Sequence, residues 1–283
     1  MLDLRGCTIL VTGASSGIGL AASEELAAMG AELVLVGRDP TRLAAAAAAV
    51  RARSAAGPVS TLACDLSSLA AVRGLTAEVL GRHPRLHVLV NNAGGVSPTR
   101  QVTADGLERT FAVNHLAPYL LTRLLLDRLV ASAPARIVTV SSVAHRRAHL
   151  DFGDLQLERG YAIMRAYGQS KLANVLFTRE LARRLAGTRV TANCLHPGAV
   201  ATRIWSGARG FARPLLALAK LFMLTPEEGA RTIVHLASEP EVAQLTGAYL
   251  EKGEVVDPAP QARDDAAARR LWEESARLVG LEA

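Results

Sequence analysis

The chain has 283 residues, of which 50% are hydrophobic and 20% charged, so it can bury a sizeable core and is not an intrinsically disordered chain. Its 32 Lys and Arg against 26 Asp and Glu give a net charge of +6, spread along the sequence without a long basic run. Together with only 4% aromatic residues, this pattern argues against a protein that binds nucleic acid.

The cysteines and the apolar runs narrow the class of protein further. Cys7, Cys64 and Cys194 are odd in number and far apart, which argues against a disulfide framework or a zinc site. We therefore expect no metal and buried, reduced thiols. No apolar run reaches the roughly 18 to 20 residues that span a bilayer, and the first residues do not resemble a signal peptide. The expected location is the cytoplasm.

Short β-branched runs alternate with longer stretches of helical periodicity along the whole chain. This alternation is typical of β-α-β units with right-handed crossovers, which build a parallel, doubly wound sheet. In chain order, the predicted elements are strand Cys7–Thr12, helix Ile18–Met29, strand Leu33–Val36, helix Thr41–Arg53, strand Val59–Cys64, helix Ser67–Leu80, strand Leu86–Val90, helix Gly106–Val130, strand Ile137–Ser141, helix Arg165–Ala186, strand Val190–Leu195, helix Pro226–Ser238, strand Ala248–Leu250 and helix Ala262–Leu278.

No proline-rich, serine-rich or charged linker interrupts this alternation. We therefore predict one α/β domain over residues 1–283, with about seven strands, helices on both faces and a C-terminal helix at about 262–278. The irregular stretches 144–164 and 199–225 follow strands. Both should lie over the carboxyl edge of the sheet, where ligands bind in doubly wound folds.

A glycine-rich turn links the first strand to the first helix. It contains Gly13, Gly17 and Gly19, in the spacing G-x-x-x-G-x-G. Glycines let the backbone turn tightly and approach a pyrophosphate, and the helix N-terminus offers free N–H groups and partial positive charge. A glycine-rich turn can also be merely structural, but a strand before it and a helix after it favour a dinucleotide site.

Further segments follow this turn in an order that resembles the signature of the short-chain dehydrogenase/reductase family. They are Cys64-Asp65-Leu66, Asn91-Asn92-Ala93-Gly94, Asn114, Ser141-Ser142, Tyr167-Gly168-Gln169-Ser170-Lys171 and His196-Pro197-Gly198. The resemblance covers about residues 5–255 and implies a single-domain Rossmann fold that binds NAD(H) or NADP(H). The cofactor contacts it implies are Gly13, Ser15, Ser16, Gly17, Ile18, Gly19, Arg38, Asp65, Leu66, Asn92, Ala93, Gly94, Tyr167, Lys171, Pro197, Gly198, Val200 and Thr202.

The residues after the second strand decide between the two nucleotides. An acidic side chain there would bond the ribose 2′-hydroxyl of NAD, whereas a cation accommodates the 2′-phosphate of NADP. This chain has Gly37-Arg38-Asp39, and a guanidinium suits a bidentate phosphate contact. Asp39 is either the partner of Arg38 or a helix cap before Pro40. The sequence therefore predicts NADP(H) as the preferred cofactor, with NAD(H) left open.

Tyr167 and Lys171 are four residues apart on one predicted helix and so share a face. A tyrosine has an ordinary pKa of about 10, and a nearby ammonium lowers it by stabilising the phenolate. Such a pair can protonate an alkoxide as hydride arrives, or deprotonate an alcohol in reverse. The resemblance also implies that Lys171 bonds the nicotinamide ribose.

Two further residues complete the predicted catalytic set. Neighbouring residues of a strand face opposite ways, so only one of Ser141 and Ser142 should orient the substrate oxygen. The run Ser141-Ser142-Val143-Ala144-His145 is similar to the retinol-dehydrogenase-like branch of the family, which implies that Ser142 is the catalytic serine. Asn114 resembles the helix asparagine that holds a water between the lysine and solvent. Ser142 as a strand-end cap and Asn114 as a helix-kink residue are the structural alternatives.

The branch resemblance implies a lipophilic alcohol or aldehyde as substrate. The apolar segment Phe211–Leu224 lies where the family has its substrate lid, and a subunit contact or a membrane-surface contact is the alternative. A basic cluster follows the serines and consists of His145, Arg146, Arg147 and His149. We interpret it as a solvated loop or as a contact to an acidic substrate or partner. The resemblance further implies a homodimer or homotetramer through Leu107–Val130 and Arg165–Ala186.

Three functions stay in play. The first is an NADP(H)-dependent oxidoreductase that interconverts a carbonyl compound and an alcohol. The second is a non-catalytic dinucleotide-binding regulator, against which the intact Ser142, Tyr167 and Lys171 argue. The third is a dehydratase or epimerase that uses the nucleotide transiently and would show no net cofactor turnover.

Overall fold

The computed structural model describes residues 3–55, 57–198 and 224–283. Within them, eight strands form one sheet in the order β3-β2-β1-β4-β5-β6-β7-β8. The strands are β1 (Thr8–Thr12), β2 (Glu32–Gly37), β3 (Val59–Ala63), β4 (Val88–Asn91), β5 (Ala135–Val140), β6 (Val190–His196), β7 (Tyr249–Glu251) and β8 (Glu254–Val255).

The predicted parallel sheet is confirmed, with one addition at its edge. Strands β1 to β7 pair in parallel, whereas the two-residue β8 runs antiparallel to β7. The turn between them is Lys252-Gly253, and both residues have positive φ, 53° and 84°. This is the backbone geometry that joins antiparallel strands through two residues. The prediction of about seven strands missed this strand because it is too short to show alternation.

Helices cover both faces of the sheet. In the described residues the α-helices are α1 (Gly17–Ala28), α2 (Pro40–Arg53), α3 (Leu69–Arg82), α4 (Arg109–Phe111), α5 (Ala117–Ala131), α6 (Ile163–Arg184), α7 (Pro226–Ser238) and α8 (Asp265–Val279). One apolar core lies under α1, α2 and α7, and a second lies under α3, α5, α6 and α8.

Capping side chains set several helix starts. The sequence predicts that α3 begins at Ser67, but the hydroxyl of Ser68 accepts the N–H of Ala71, so the helix begins at Leu69. Asp264 accepts N–H groups of the first turn of α8, which therefore begins at Asp265 rather than at Ala262. Cap identity, rather than the apolar period, fixes these boundaries.

The single long helix predicted over Gly106–Val130 is wrong in two respects. The helix begins at Arg109, because the buried carboxylate of Glu108 accepts the N–H groups of Thr110 and Phe111. It then passes through a π-helical turn, Ala112–Leu116, before α5 continues. A π turn inserts one residue into the helical repeat and is frequent at functional sites.

The C-terminal helix α8 packs against α5 and α6. The ring of Trp272 lies 5.1 Å from that of Tyr119 and 5.9 Å from that of Phe177, measured between centroids. The guanidinium of Arg184 lies 4.4 Å from the centre of the indole ring. This helix covers part of the face that α5 and α6 present away from the sheet. Oligomer formation through those helices stays a prediction, and any interface there must include or displace α8.

The described part of the chain contains no helix that is long and apolar enough to cross a membrane. Across 3–55, 57–198 and 224–283, no group of three or more His, Cys, Asp or Glu side chains is placed to hold a metal ion. Cys64 and Cys194 are buried and Cys7 is half-buried, all as free thiols. Burial raises the pKa of each thiol, to about 11 for Cys64.

Candidate active site

The carboxyl edge of the sheet forms one large cavity. All predicted site residues that the structure describes line it. Val200, Thr202 and residues 199–223 of the predicted lid segment 199–225 lie outside the described residues. The strand order reverses between β1 and β4, and this is the point at which doubly wound sheets open a crevice for ligands.

The glycine-rich turn after β1 is held against the segment that follows β4. The side-chain amide of Asn92 donates to the carbonyl of Thr12 at 2.8 Å. A Cβ on Gly13, whose φ is 70°, would lie 2.9 Å from the Cα of Ala93, and a Cβ on Gly19 would overlap the amide nitrogen of Asn92. Glycine is required at both positions because the two backbones approach so closely.

The N-terminus of α1 opens into this cavity with its backbone donors free of side-chain caps. Ser16 occupies the cap position, but its hydroxyl makes no capping hydrogen bond. The first turn carries no acidic side chain. The free N–H groups and the partial positive charge of the helix end therefore suit a pyrophosphate.

The structure decides between the two alternatives for Asp39. Its carboxylate accepts the backbone N–H of Arg42 at 3.1 Å, which caps α2, and it lies 3.6 Å from the guanidinium of Arg42. Arg38 is exposed at the end of β2 and lines the cavity. Asp39 is thus a helix cap, and Arg38 makes no ion pair with any described residue.

Asp65 follows β3 on the same side of the cavity. Its carboxylate accepts the backbone N–H and the hydroxyl of Ser67 at 3.0 and 2.8 Å. Although burial opposes the shift, these hydrogen bonds and the charges of Arg38 and Arg109 hold the pKa of Asp65 below its ordinary value. Asp65 is therefore a carboxylate acceptor at neutral pH.

Asn114 lies in the π-helical turn and is fully buried. Its side chain clamps the backbone of Gly95, accepting the N–H at 2.8 Å and donating to the carbonyl at 2.9 Å. It also donates to the hydroxyl of Ser170 at 3.0 Å. Asn114 therefore joins the Asn91–Gly95 segment to α6. The water that the resemblance assigns to Asn114 stays a prediction.

The end of β5 separates the roles of its two serines. The hydroxyl of Ser141 donates to the backbone carbonyl of Lys171 at 2.8 Å and is buried against α6. Burial raises the pKa of Tyr167, and a side-chain hydrogen bond with Ser142 opposes this rise. The hydroxyl of Ser142 also accepts the backbone N–H of Ala144 at 3.2 Å, so it caps the short turn that follows β5 as well. Because the hydroxyl of Ser141 is held by α6, Ser142 is the serine of this pair that is left to interact with Tyr167.

Lys171 projects from α6 between Tyr167 and the end of β5. Its Nζ lies 5.6 Å from the ring centre of Tyr167 and donates to the carbonyl of Val140 at 2.9 Å. Burial lowers the pKa of Lys171 to about 8. At neutral pH the side chain is therefore mostly an ammonium ion in a buried site, where its charge acts strongly on neighbouring groups.

The interpretation of the basic cluster as a solvated loop is wrong for His145, which is fully buried. Its Nδ1 lies 2.7 Å from the carbonyl of Ser142, and its Nε2 accepts the backbone N–H of Ala259 at 3.1 Å. Nδ1 therefore carries the proton and the ring is neutral, in agreement with the lowering of its pKa by burial. Arg146 pairs with Glu251 at 3.0 Å, whereas Arg147 and His149 are exposed beside the cavity.

Two residues beside the predicted catalytic residues, Asn174 and His115, were not predicted from the sequence. Both are polar and buried, on α6 and in the π turn. The signal for Asn174 was its spacing, three residues after Lys171 and therefore on the same helix face. A polar residue on a face that must be buried is informative in itself.

A nucleotide-binding crevice with a tyrosine, a lysine and a serine at one end defines a dinucleotide-dependent oxidoreductase. The family model for short chain dehydrogenases matches residues 7–211. Retinol dehydrogenase 13 of Homo sapiens is 44% identical over 99% of this chain and 86% of its own length. Dehydrogenase/reductase SDR family member 13 of Bos taurus is 46% identical over 99% of this chain and 75% of its own.

Solved structures agree with this assignment. A crystal structure of a Mycobacterium paratuberculosis protein matches with a TM-score of 0.80 and 33% identity, over 100% of this chain and 96% of that one. A Beutenbergia cavernae structure, described as an NAD(P)-dependent gluconate 5-dehydrogenase with NADP bound at low occupancy, matches with a TM-score of 0.72 and 29% identity, over 88% and 96%. The chain belongs to the short-chain dehydrogenase/reductase family, in its retinol-dehydrogenase-like branch. It is an NAD(P)-dependent oxidoreductase of the CH–OH/C=O type.

Proposed function

We propose that this enzyme uses NADP(H) to interconvert a hydrophobic aldehyde or ketone and its alcohol, with Tyr167 as the acid–base group. One observation carries the proposal: Tyr167, Lys171 and Ser142 line the same cavity as the uncapped N-terminus of α1. A proton donor and a pyrophosphate-binding helix end therefore share one crevice.

The residues present fit the chemistry of a bound nicotinamide nucleotide, which supplies hydride for reduction and accepts it for oxidation. Tyr167 donates its hydroxyl proton to the carbonyl oxygen as negative charge develops there, and it accepts that proton in the reverse direction. The ammonium of Lys171, 5.6 Å from the ring centre of Tyr167, stabilises the phenolate that remains. Ser142 orients the substrate oxygen through its hydroxyl.

Arg38 supports the preference for NADP(H). Its guanidinium is exposed, lines the cavity and is not paired with Asp39, which caps α2 and contacts Arg42. A cation at this position neutralises the ribose 2′-phosphate that distinguishes NADP from NAD. With Asp39 committed to the cap, no described carboxylate at the end of β2 competes for a ribose 2′-hydroxyl.

Three apolar side chains in the cavity support a hydrophobic substrate. Val143, Ile163 and Met164 are 48%, 37% and 53% exposed, and all three line the cavity beside the catalytic serine and tyrosine. Grouped apolar side chains left open to solvent in a cleft are typical of a site for an apolar ligand. The names of the relatives, retinol dehydrogenases 13 and 14, agree with a substrate of this class.

The test is a stoichiometric assay. Purified protein is mixed with NADPH and, in turn, with retinaldehyde, octanal and the hydrophilic glyceraldehyde. We expect one NADPH to be consumed for each alcohol formed, with the two hydrophobic aldehydes preferred. Product formation without net nucleotide oxidation would instead indicate a dehydratase or epimerase. Nucleotide binding without turnover of any carbonyl compound would indicate a regulator.

A further inference from the structure

A chain of buried polar side chains connects the C-terminal helix to the catalytic lysine. Its members are Ser275 on α8, His115 in the π turn and Asn174 on α6, with exposed fractions of 0%, 0% and 1%. The hydroxyl oxygen of Ser275 lies 2.8 Å from Nε2 of His115. Nδ1 of His115 lies 3.3 Å from Oδ1 of Asn174.

The amide of Asn174 ends this chain at a carbonyl that Lys171 also uses. Its Nδ2 donates to the carbonyls of Asn114 at 2.9 Å and Val140 at 3.3 Å. The Nζ of Lys171 donates to the same Val140 carbonyl at 2.9 Å. One carbonyl oxygen at the end of β5 therefore receives both the amide and the ammonium.

The donors and acceptors that each side chain offers fix the direction of every hydrogen bond between Asn174, His115 and Ser275. Two carbonyls can only accept, so Nδ2 of Asn174 must face them and Oδ1 must face His115. Nδ1 of His115 is then the donor, and its bare Nε2 accepts the hydroxyl proton of Ser275. His115 is neutral in this arrangement, in agreement with the lowering of its pKa by burial to about 4.

We propose that Asn174 is a positioning residue, which holds the Val140 carbonyl and through it the Nζ of Lys171, while His115 and Ser275 fix the orientation of its amide. This inference rests on the roles proposed above for Tyr167 and Lys171. The C-terminal helix, although it lies away from the cavity, thereby helps to set the place of the ammonium. A misplacement of a reacting group by about 1 Å can cost about a hundredfold in rate.

The alternative is that Asn174 only fills the core, and a pH profile separates the two. Among the residues that the structure describes, the titratable groups near Lys171 are Tyr167 on its own helix and His196 at the end of β6. Without the amide of Asn174 the Val140 carbonyl is no longer held in place, so the ammonium of Lys171 shifts, the phenolate of Tyr167 is stabilised less and the pKa of Tyr167 rises. The acid limb of alcohol oxidation then moves to higher pH. A loss of packing alone would lower stability without moving this limb.

The test compares Asn174→Leu with the unaltered enzyme in NADP-dependent retinol oxidation. We expect kcat to fall about tenfold or more, and the acid limb to move up by about 0.5 pH units. Ultraviolet titration of tyrosinate in the nucleotide-free protein should show the same upward shift. The contribution of Tyr167 is isolated there by subtracting the matching Tyr167→Phe background.

Ser275→Ala removes the hydroxyl at the end of the hydrogen-bond series that is farthest from Lys171, and it changes no residue of the cavity. Its matched control is Ser238→Ala, which deletes a buried hydroxyl that donates to the carbonyl of Val234 on a different helix. We expect Ser275→Ala to shift the limb in the same direction as Asn174→Leu, and Ser238→Ala to leave it in place. If Asn174→Leu does not fold, this pair decides the question.

If Asn174→Leu folds and the acid limb of its pH profile is not shifted, the inference is wrong, whatever the melting temperature of the variant. If Asn174→Leu does not fold, an unshifted acid limb in Ser275→Ala overturns the inference instead. Tyr167→Phe is measured in the same assay, because it distinguishes a failure of the proposed function from a failure of the positioning role of Asn174. If Tyr167→Phe stays active, the proposed function itself is wrong. If it is inactive while Asn174→Leu behaves like the unaltered enzyme, only the positioning role fails.

Discussion

Replacing Arg38 with alanine should weaken the binding of NADPH and leave the binding of NADH almost unchanged. A hydrogen bond to a charged partner contributes about 1.5 to 3 kcal/mol. Arg38 is exposed at the end of β2, so solvent screening places its contribution near the lower limit. Since about 1.4 kcal/mol corresponds to a factor of ten, we expect the Kd for NADPH to rise about tenfold and that for NADH by less than about twofold.

The assay is a titration of each variant with NADPH and with NADH, followed by nicotinamide fluorescence. Arg53→Ala is the matched control, because Arg53 is exposed at the end of α2 and does not line the cavity. Asp39→Ala should lower stability by about 1 kcal/mol through loss of the cap, without changing the nucleotide preference. Equal weakening of both nucleotides by Arg38→Ala would refute the 2′-phosphate role. A selective loss of NADH in Asp39→Ala would show that Asp39 governs the ribose.

Three further changes test the site and its support. Gly19→Ala should weaken the binding of both nucleotides at least about tenfold, because its Cβ would overlap the amide of Asn92. Its control is Gly74→Ala, which has open space around the new Cβ and should stabilise the fold by about 0.5 to 1 kcal/mol. Burial lowers the pKa of Lys171 from 10.5 to about 8. Between pH 8 and pH 10.5 the folded state therefore binds fewer protons than the unfolded chain, and at neutral pH the buried charge lowers the free energy of unfolding. Lys171→Met should therefore abolish turnover yet raise the free energy of unfolding in urea by about 1 to 3 kcal/mol at neutral pH, a gain that shrinks as the pH rises above about 8. Trp272→Ala should cost about 3 to 5 kcal/mol in the same denaturation assay.

The order of elements and the cofactor end of the site could be predicted from the sequence because both depend on local patterns. Gly13 and Gly19 carry their meaning in their spacing, and a strand before them with a helix after them completes the motif. Tyr167 and Lys171 share a face whatever the helix boundaries are. These features need no knowledge of which elements pack together.

The parts that were missed depend on contacts between distant segments. The π turn at Asn114 adds one residue to a helix whose apolar pattern continues on both sides, so periodicity conceals it. His145 has two basic neighbours and looked solvated, but Ala259 and Tyr249 enclose it from more than a hundred residues away. The environment of Asn174 likewise depends on Ser275, which α8 brings to the core.

The role of Tyr167 is tested most directly by a single-turnover experiment on Tyr167→Phe. NADPH is bound first, its Kd is measured, and retinaldehyde is then added while nicotinamide absorbance is followed. The account predicts a Kd within about twofold of the unaltered enzyme and a rate lower by at least about a hundredfold, since general acid catalysis contributes that much or more. Rapid NADPH oxidation by the variant would contradict the assignment of Tyr167 as the proton donor.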